Sequence, residues 1–101
     1  MVIISKAIIK EFAKEHPDAE NALIKWYTET KAADWSDFKD VKNTFNSADV
    51  VANDRYIFDI KGNKYRLIAL IIFKIRTVFI LFIGTHKEYE KLDVANVNYT
   101  K

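Results

Sequence analysis

The spacing of hydrophobic and polar positions changes once along this chain, near Ser47. Before that point the spacing is helical. Val2-Ile3-Ile4 forms an apolar run that predicts a short strand, and Ser5 stands where a helix cap would. Ile8, Ile9 and Phe12 then share one helical face. His16-Pro17 predicts a break and a restart, because proline suits the first position of a helix. Ala19, Ala22, Leu23, Trp26, Tyr27 and Thr30 follow at i, i+3, i+4 and i+7, the pattern of a core-packing face. Ser36 is the expected cap of a third, short helix carrying Phe38, Val41 and Phe45.

After Ser47 the period becomes two. Tyr56, Phe58 and Ile60 alternate with Asp59, which predicts a strand, and Gly62-Asn63 suits a two-residue hairpin turn. A second strand is expected from Lys64 to Phe73, a turn over Lys74–Thr77, and a third strand over Val78–Ile83 that Gly84 ends. Thr85 and Glu88 have the spacing of a capping box, so a short helix should begin there. The predicted class is α+β: a small antiparallel sheet, N-terminal helices packed on one face, and a short C-terminal helix. Residues 1–95 are read as one domain and 96–101 as a loose tail.

Composition narrows the chemistry. With 101 residues, one domain is expected. Only 2 Gly and 1 Pro exclude collagen-like and linker-like chains and leave no material for a phosphate-binding glycine loop. With 0 Cys there is no disulfide framework, thiolate nucleophile or zinc-thiolate site, and a cytoplasmic address is expected. Two histidines, His16 and His86, are too few for a His-rich metal cluster, and no cofactor or metal is expected. Leu67–Gly84 is apolar enough to suggest a membrane span, but Lys74 and Arg76 sit in its middle. Two charges at a bilayer centre cost ~2.5–3.5 kcal/mol each, so two buried strands are the better reading.

Net charge is +2 but unevenly spread: residues 1–54 carry −3 and residues 55–101 carry +5, including all three arginines. A basic half points to an anionic partner, against the plainer reading of a solvated basic surface. On the Lys64–Phe73 strand, alternation puts Lys64 and Arg66 with Ile68, Leu70 and Ile72. Tyr65, Leu67, Ala69, Ile71 and Phe73 take the opposite, core-facing side. His86 and Tyr89 are three apart at the start of the last helix and can point the same way. Cations beside a His, a Lys and a Tyr could bind a phosphodiester and supply acid and base groups. The plainer alternative pairs Arg66 with an acid such as Asp59.

Taken in order, His16-Pro17-Asp18-Ala19-Glu20, Ala33-Asp34-Trp35, Ser47-Ala48-Asp49, Gly62-Asn63-Lys64-Tyr65-Arg66-Leu67 and Gly84-Thr85-His86-Lys87-Glu88-Tyr89 resemble the HigB toxins of bacterial type II toxin–antitoxin systems, in the RelE-like superfamily. The resemblance runs from Ile4 to about Asp93, and Gly-Asn-x-x-Arg and Thr-His-x-Glu-Tyr are its most specific segments. It implies a metal-free endoribonuclease that cleaves mRNA at the ribosome and is neutralised by a HigA-type antitoxin. It further implies that Arg66 contacts the scissile phosphate, that His86 and Tyr89 line the cleavage site, and that Lys87 contacts the RNA backbone. Arg55, Lys61, Asn63, Lys64 and Arg76 complete the expected RNA-binding set. No membrane partner is expected.

The chain departs from the family pattern in one respect. Relatives often carry Arg where this chain has Leu81, and polar residues where it has Leu70 and Ile72. Extending period two along the last strand gives Leu81, Ile83 and Thr85 one common direction. Two readings follow. Either Arg76 or Lys74 supplies the missing cation from its turn, or the protein is a weak or inactive nuclease that acts as an antitoxin-binding module or self-associates.

Overall fold

The computed structural model describes residues 1–98. Five strands form one sheet: β1 (Val2–Ile4), β2 (Asp49–Val51), β3 (Arg55–Ile60), β4 (Tyr65–Ile72) and β5 (Thr77–Thr85). Their spatial order is β1-β5-β4-β3-β2. The helices are α1 (Lys6–Glu15), α2 (Glu20–Ala32), α3 (Phe38–Thr44) and α4 (His86–Glu90). The class is α+β, as the sequence predicts. The sheet is mixed rather than purely antiparallel, because β1 lies parallel to β5, pairing Val2 with Thr77 and Ile4 with Phe79. The stretch that suggested a membrane span is β4 and β5, and no helix among the described residues is long and apolar enough to cross a bilayer.

Helices α1 to α3 cover one face of the sheet. Ile9, Leu23, Trp26 and Val41 from the helices pack with Phe58, Tyr65, Leu67, Ala69, Ile71, Val78 and Ile80 from the strands. These are the alternate positions expected of β3 and β4. Burying each large apolar side chain is worth about 1.5–3 kcal/mol. Trp26 and Phe45 meet Phe58 edge-on, with ring centroids 5.4 Å apart in both pairs.

Several local expectations need correction. Ser5 precedes α1 but makes no capping bond, having a left-handed backbone (φ 77°). Asp37, not Ser36, caps α3: its Oδ1 accepts from Asp40 N at 3.1 Å. A carboxylate beside the free amides at a helix start explains the preference. Strand β2 is an addition, a three-residue edge paired with β3. Asn53 and Asp54 make its turn with φ of 62° and 60°, values that these side chains tolerate better than most. Gly62-Asn63 lies at the centre of the next turn, closed by Lys64 N donating to Lys61 O at 3.2 Å, but pairing stops at Ile60 and Tyr65, so the loop has four residues. β5 continues through Gly84 to Thr85 instead of ending at Ile83.

The largest departure from simple alternation lies in β5. Ile68 pairs with Phe82 while the next residue, Ala69, pairs with Ile80. Leu81 is therefore an extra residue in a β-bulge. Ile80 and Ile83 belong to the helix-side core, whereas Leu81, 9% exposed, does not. The bulge thus breaks the common direction expected of residues 81, 83 and 85.

The second sheet face carries Asp59, Arg66, Ile68, Leu70 and Ile72. Ile57 and Ile68 are buried there outside the helix-side core. The chain after α4 is tied to this face. Asn53 Nδ2 donates to Ala95 O at 2.9 Å, and Arg55 donates to Val97 O at 2.7 Å and Asn98 Oδ1 at 2.8 Å. These bonds hold Asn96–Asn98, the first part of the segment read from sequence as a tail; residues 99–101 lie outside the described residues.

Candidate RNA-cleavage site

Strands β4 and β5 end together, with Tyr65 opposite Thr85 and Arg66 opposite Gly84. The chain then turns directly into α4. Thr85 fixes that turn: its hydroxyl accepts from Glu88 N at 3.2 Å, and Glu88 Oε1 accepts from Thr85 N at 2.8 Å. This is the predicted capping box. Five residues are too few for a stable isolated helix, so the reciprocal cap and the sheet hold α4 in place. Thr85→Ala should cost about 1 kcal/mol in urea unfolding. An unchanged midpoint would show that the cap does not anchor α4.

That geometry brings Arg66, His86 and Tyr89 together. An Arg66 Nη2 lies 3.1 Å from His86 Nε2, and its guanidinium carbon lies 4.9 Å from the centre of the Tyr89 ring. The His86 and Tyr89 rings are 6.3 Å apart. A guanidinium can only donate, so in this contact His86 Nε2 is the acceptor. Nδ1 faces Glu90 Oε2 at 3.9 Å. On its other side Arg66 meets Asp59, its cross-strand partner, with Nε 2.7 Å from Oδ1. The approach lies off the N–H axis, leaving Nε without a well-directed hydrogen bond, so the contact is an ion pair. The plainer sequence alternative, an Arg66–Asp59 pair, therefore coexists with the grouped site.

The other candidate cations divide by position. Lys61, Asn63 and Lys64 lie in the β3–β4 loop, and Lys87 lies on α4, all at the Arg66 end of the sheet. Lys64 does not share the Arg66 face, because it belongs to the loop and pairs with Asp18 at 2.5 Å. Lys61 Nζ reaches Asp18 O at 3.1 Å, and Tyr65 Oη donates to Asp18 Oδ1 at 2.7 Å. Arg55 is engaged by Val97 and Asn98. Arg76 pairs with Asp34 at the start of β5. By strand rise that is on the order of 20 Å from Arg66. Neither Arg76 nor Lys74 in the same turn can stand beside Arg66. Asp59, which holds Arg66, is the partner the plainer sequence reading named; Glu90, four residues after His86 and facing it, was missed, and that i, i+4 spacing was the only signal for it.

The Asp18 cluster makes an acid-stability prediction. Hydrogen bonds from Lys64 and Tyr65 hold the Asp18 carboxyl at about 2, below its usual range. A depressed folded value stabilises the fold above the ordinary pKa near 4 and loses that contribution as pH falls towards 2. Asp18→Asn should flatten thermal stability between pH 4 and 2. An unchanged slope would remove Asp18 as the cause.

Among the described residues, no group of three or more His, Cys, Asp or Glu is arranged to hold a metal ion.

Comparison with known proteins bears on what this cluster belongs to. The chain is 36% identical over 94 residues to an mRNA interferase HigB of Escherichia coli O6:H1, covering 91% of each chain. It is 25% identical over 92 residues to the mRNA interferase toxin HigB of Escherichia coli K12, covering 89% of this chain and 88% of that one. A profile of the HigB toxin family, the RelE-like toxic component of a toxin–antitoxin system, matches residues 19–92, a span that includes Arg66, His86 and Tyr89. The chain therefore belongs to the HigB family of RelE-like toxins.

Proposed function

We propose that this toxin is an mRNA endoribonuclease that acts at the ribosome without a metal ion, and that Arg66, His86 and Tyr89 form its cleavage site. The observation carrying the reading is the Arg66–His86 contact of 3.1 Å, flanked by Tyr89. Cleavage of RNA by its own 2′-hydroxyl needs three things: a base for the hydroxyl proton, an acid for the leaving 5′-oxygen, and a cation for the phosphorane charge. Side chains fill all three roles here. A phosphate entering beside Arg66 draws the guanidinium away from His86 and frees the Nε2 lone pair. His86 then takes the 2′-hydroxyl proton as that oxygen attacks phosphorus. The P–O5′ bond breaks, the 5′-oxygen takes a proton from the Tyr89 hydroxyl, and a 2′,3′-cyclic phosphate remains. Arg66 balances the charge on the non-bridging oxygens. Asn63 and Lys87 lie at this end of the sheet beside the phosphate path, while Lys61 and Lys64 are held away from it by Asp18.

The partner that restrains this activity is a HigA-type antitoxin, and the working compartment is the cytoplasm. Induced expression in a bacterial host should arrest growth with cleavage of translated mRNA, and co-expression of the antitoxin should restore growth. Arrest with intact mRNA would overturn the nuclease reading.

A further inference from the structure

Phe82 is the aromatic residue of β5 nearest the cluster that the mechanism above leaves unused. It shares the Arg66 face, pairing with Ile68, and is half-buried. Its ring does not stand straight out from the sheet but lies along the strand over Gly84. A Cβ built on Gly84 would fall 2.3 Å from Phe82 Cζ and 2.8 Å from Cε2. Gly84 is the direct cross-strand partner of Arg66. The missing side chain at 84 therefore makes the space that the Phe82 ring fills, with Glu88 Oε1 3.1 Å from the same point, so the ring lies over the cross-strand partner of Arg66. The backbone at Gly84 has no positive φ that would itself require glycine. The requirement is room for the ring first and for the Glu88 carboxylate second.

We propose that Phe82 is a binding and specificity residue of the cleavage site, stacking the nucleobase next to the scissile phosphate, with Gly84 as its cradle. The inference rests on the nuclease reading above. Cleavage by 2′-hydroxyl attack needs the sugar held in line with the leaving oxygen, and holding the base fixes the sugar. The neighbouring surface suits a base better than a second phosphate, since the partly exposed Leu70 and Phe79 beyond Phe82 carry no charge, and Ile68, opposite Phe82, is buried. An apolar floor beside a single cation binds a base by its face and a phosphate by its charge. Stacking accepts every base but favours those with the larger π-face, so purines should be preferred at this position.

Steady-state cleavage of programmed mRNA by purified protein tests the proposal with Phe82→Leu and Gly84→Ala, folding being checked by thermal melting. Phe82→Leu keeps an apolar side chain but removes the π-face. Gly84→Ala keeps the ring but pushes it off its seat and also presses on Glu88 Oε1, so its result counts only where Phe82→Leu agrees. Both should raise KM about 5- to 100-fold with a much smaller change in kcat, and both should weaken purine preference. If Gly84→Ala fails to fold, Phe82→Leu decides alone, and if Phe82→Leu fails, quenching by the wild-type protein of a 2-aminopurine base in a 2′-O-methyl mRNA bound to the ribosome decides. Wild-type KM and purine preference in folded Phe82→Leu, or an unquenched 2-aminopurine, would overturn the stacking role. Wild-type protein that leaves mRNA intact would instead overturn the nuclease reading, and the Arg66→Ala control separates the two failures.

Discussion

Arg66→Ala is expected to lower mRNA cleavage by roughly 10²–10³-fold, the usual effect of removing one preorganised donor from a developing oxyanion. Toxicity on induction should disappear at matched expression. Among the described residues no other arginine stands at its end of the sheet, and Lys87 on α4 offers a point charge without the fork. Lys64 and Lys61 are drawn to Asp18, while Arg76 lies at the far end of β5 against Asp34. The fold should survive, because Arg66 sits on the face opposite the main core and is partly exposed. Truncation also leaves Asp59 without its ion pair, and a partly solvated pair of this kind is worth about 1 kcal/mol or less. A loss of activity that tracks unfolding would therefore point to a structural role. Arg66→Lys separates charge from geometry: it keeps the cation but loses the fork that spans His86 and Asp59, so it should recover only part of the rate.

The second large effect concerns Leu81→Arg. This substitution adds the cation that the family resemblance led one to expect on this strand, yet the expected result is a less stable protein with no gain in cleavage. Leu81 is 9% exposed and occupies a bulge in the strand between β1 and β4. A guanidinium introduced there meets Ile68, Phe82 and the backbone of a paired strand, with no carboxylate opposite it in the register. Burying an unpaired charge costs about 3 kcal/mol or more, although a long side chain recovers part of this by reaching solvent. Urea unfolding would register that loss as a lower midpoint. A folded variant that cleaves faster than wild type would show the opposite: that the sheet lacks a cation at this point and that Leu81 weakens the native enzyme.

The two substitutions also show what could be read from the chain. Period-two alternation in β4 placed Tyr65, Leu67, Ala69 and Ile71 against the helices, where they lie. Each of those residues is one of an unbroken series, so the pattern carries its own register. The Thr85–Glu88 spacing placed the start of α4, and with it His86 and Tyr89, because a capping box is a local device. Alternation failed in β5, where one inserted residue reverses the faces on either side and nothing in Phe79-Ile80-Leu81-Phe82-Ile83, apolar throughout, marks where it falls. Strand β2 escaped notice because three residues beginning with Asp are too short to show a period. Lys64 was misplaced because the loop took four residues, not two, which moved it off the strand. The grouping of Arg66 with His86 depends on β4 and β5 ending together. That is a fact of register, which alternation and helical spacing could only suggest and which the family resemblance then reinforced.

The account's central claim is that Arg66, His86 and Tyr89 cleave RNA through its own 2′-hydroxyl. The most direct measurement is the chemistry of the new RNA ends, produced on ribosome-bound mRNA by purified wild-type, Arg66→Ala and His86→Ala proteins. The account predicts 2′,3′-cyclic phosphate and 5′-hydroxyl ends from the wild type, and cleavage reduced at least about 100-fold in both variants. Ends bearing 5′-phosphate, or wild-type cleavage by folded Arg66→Ala, would contradict it.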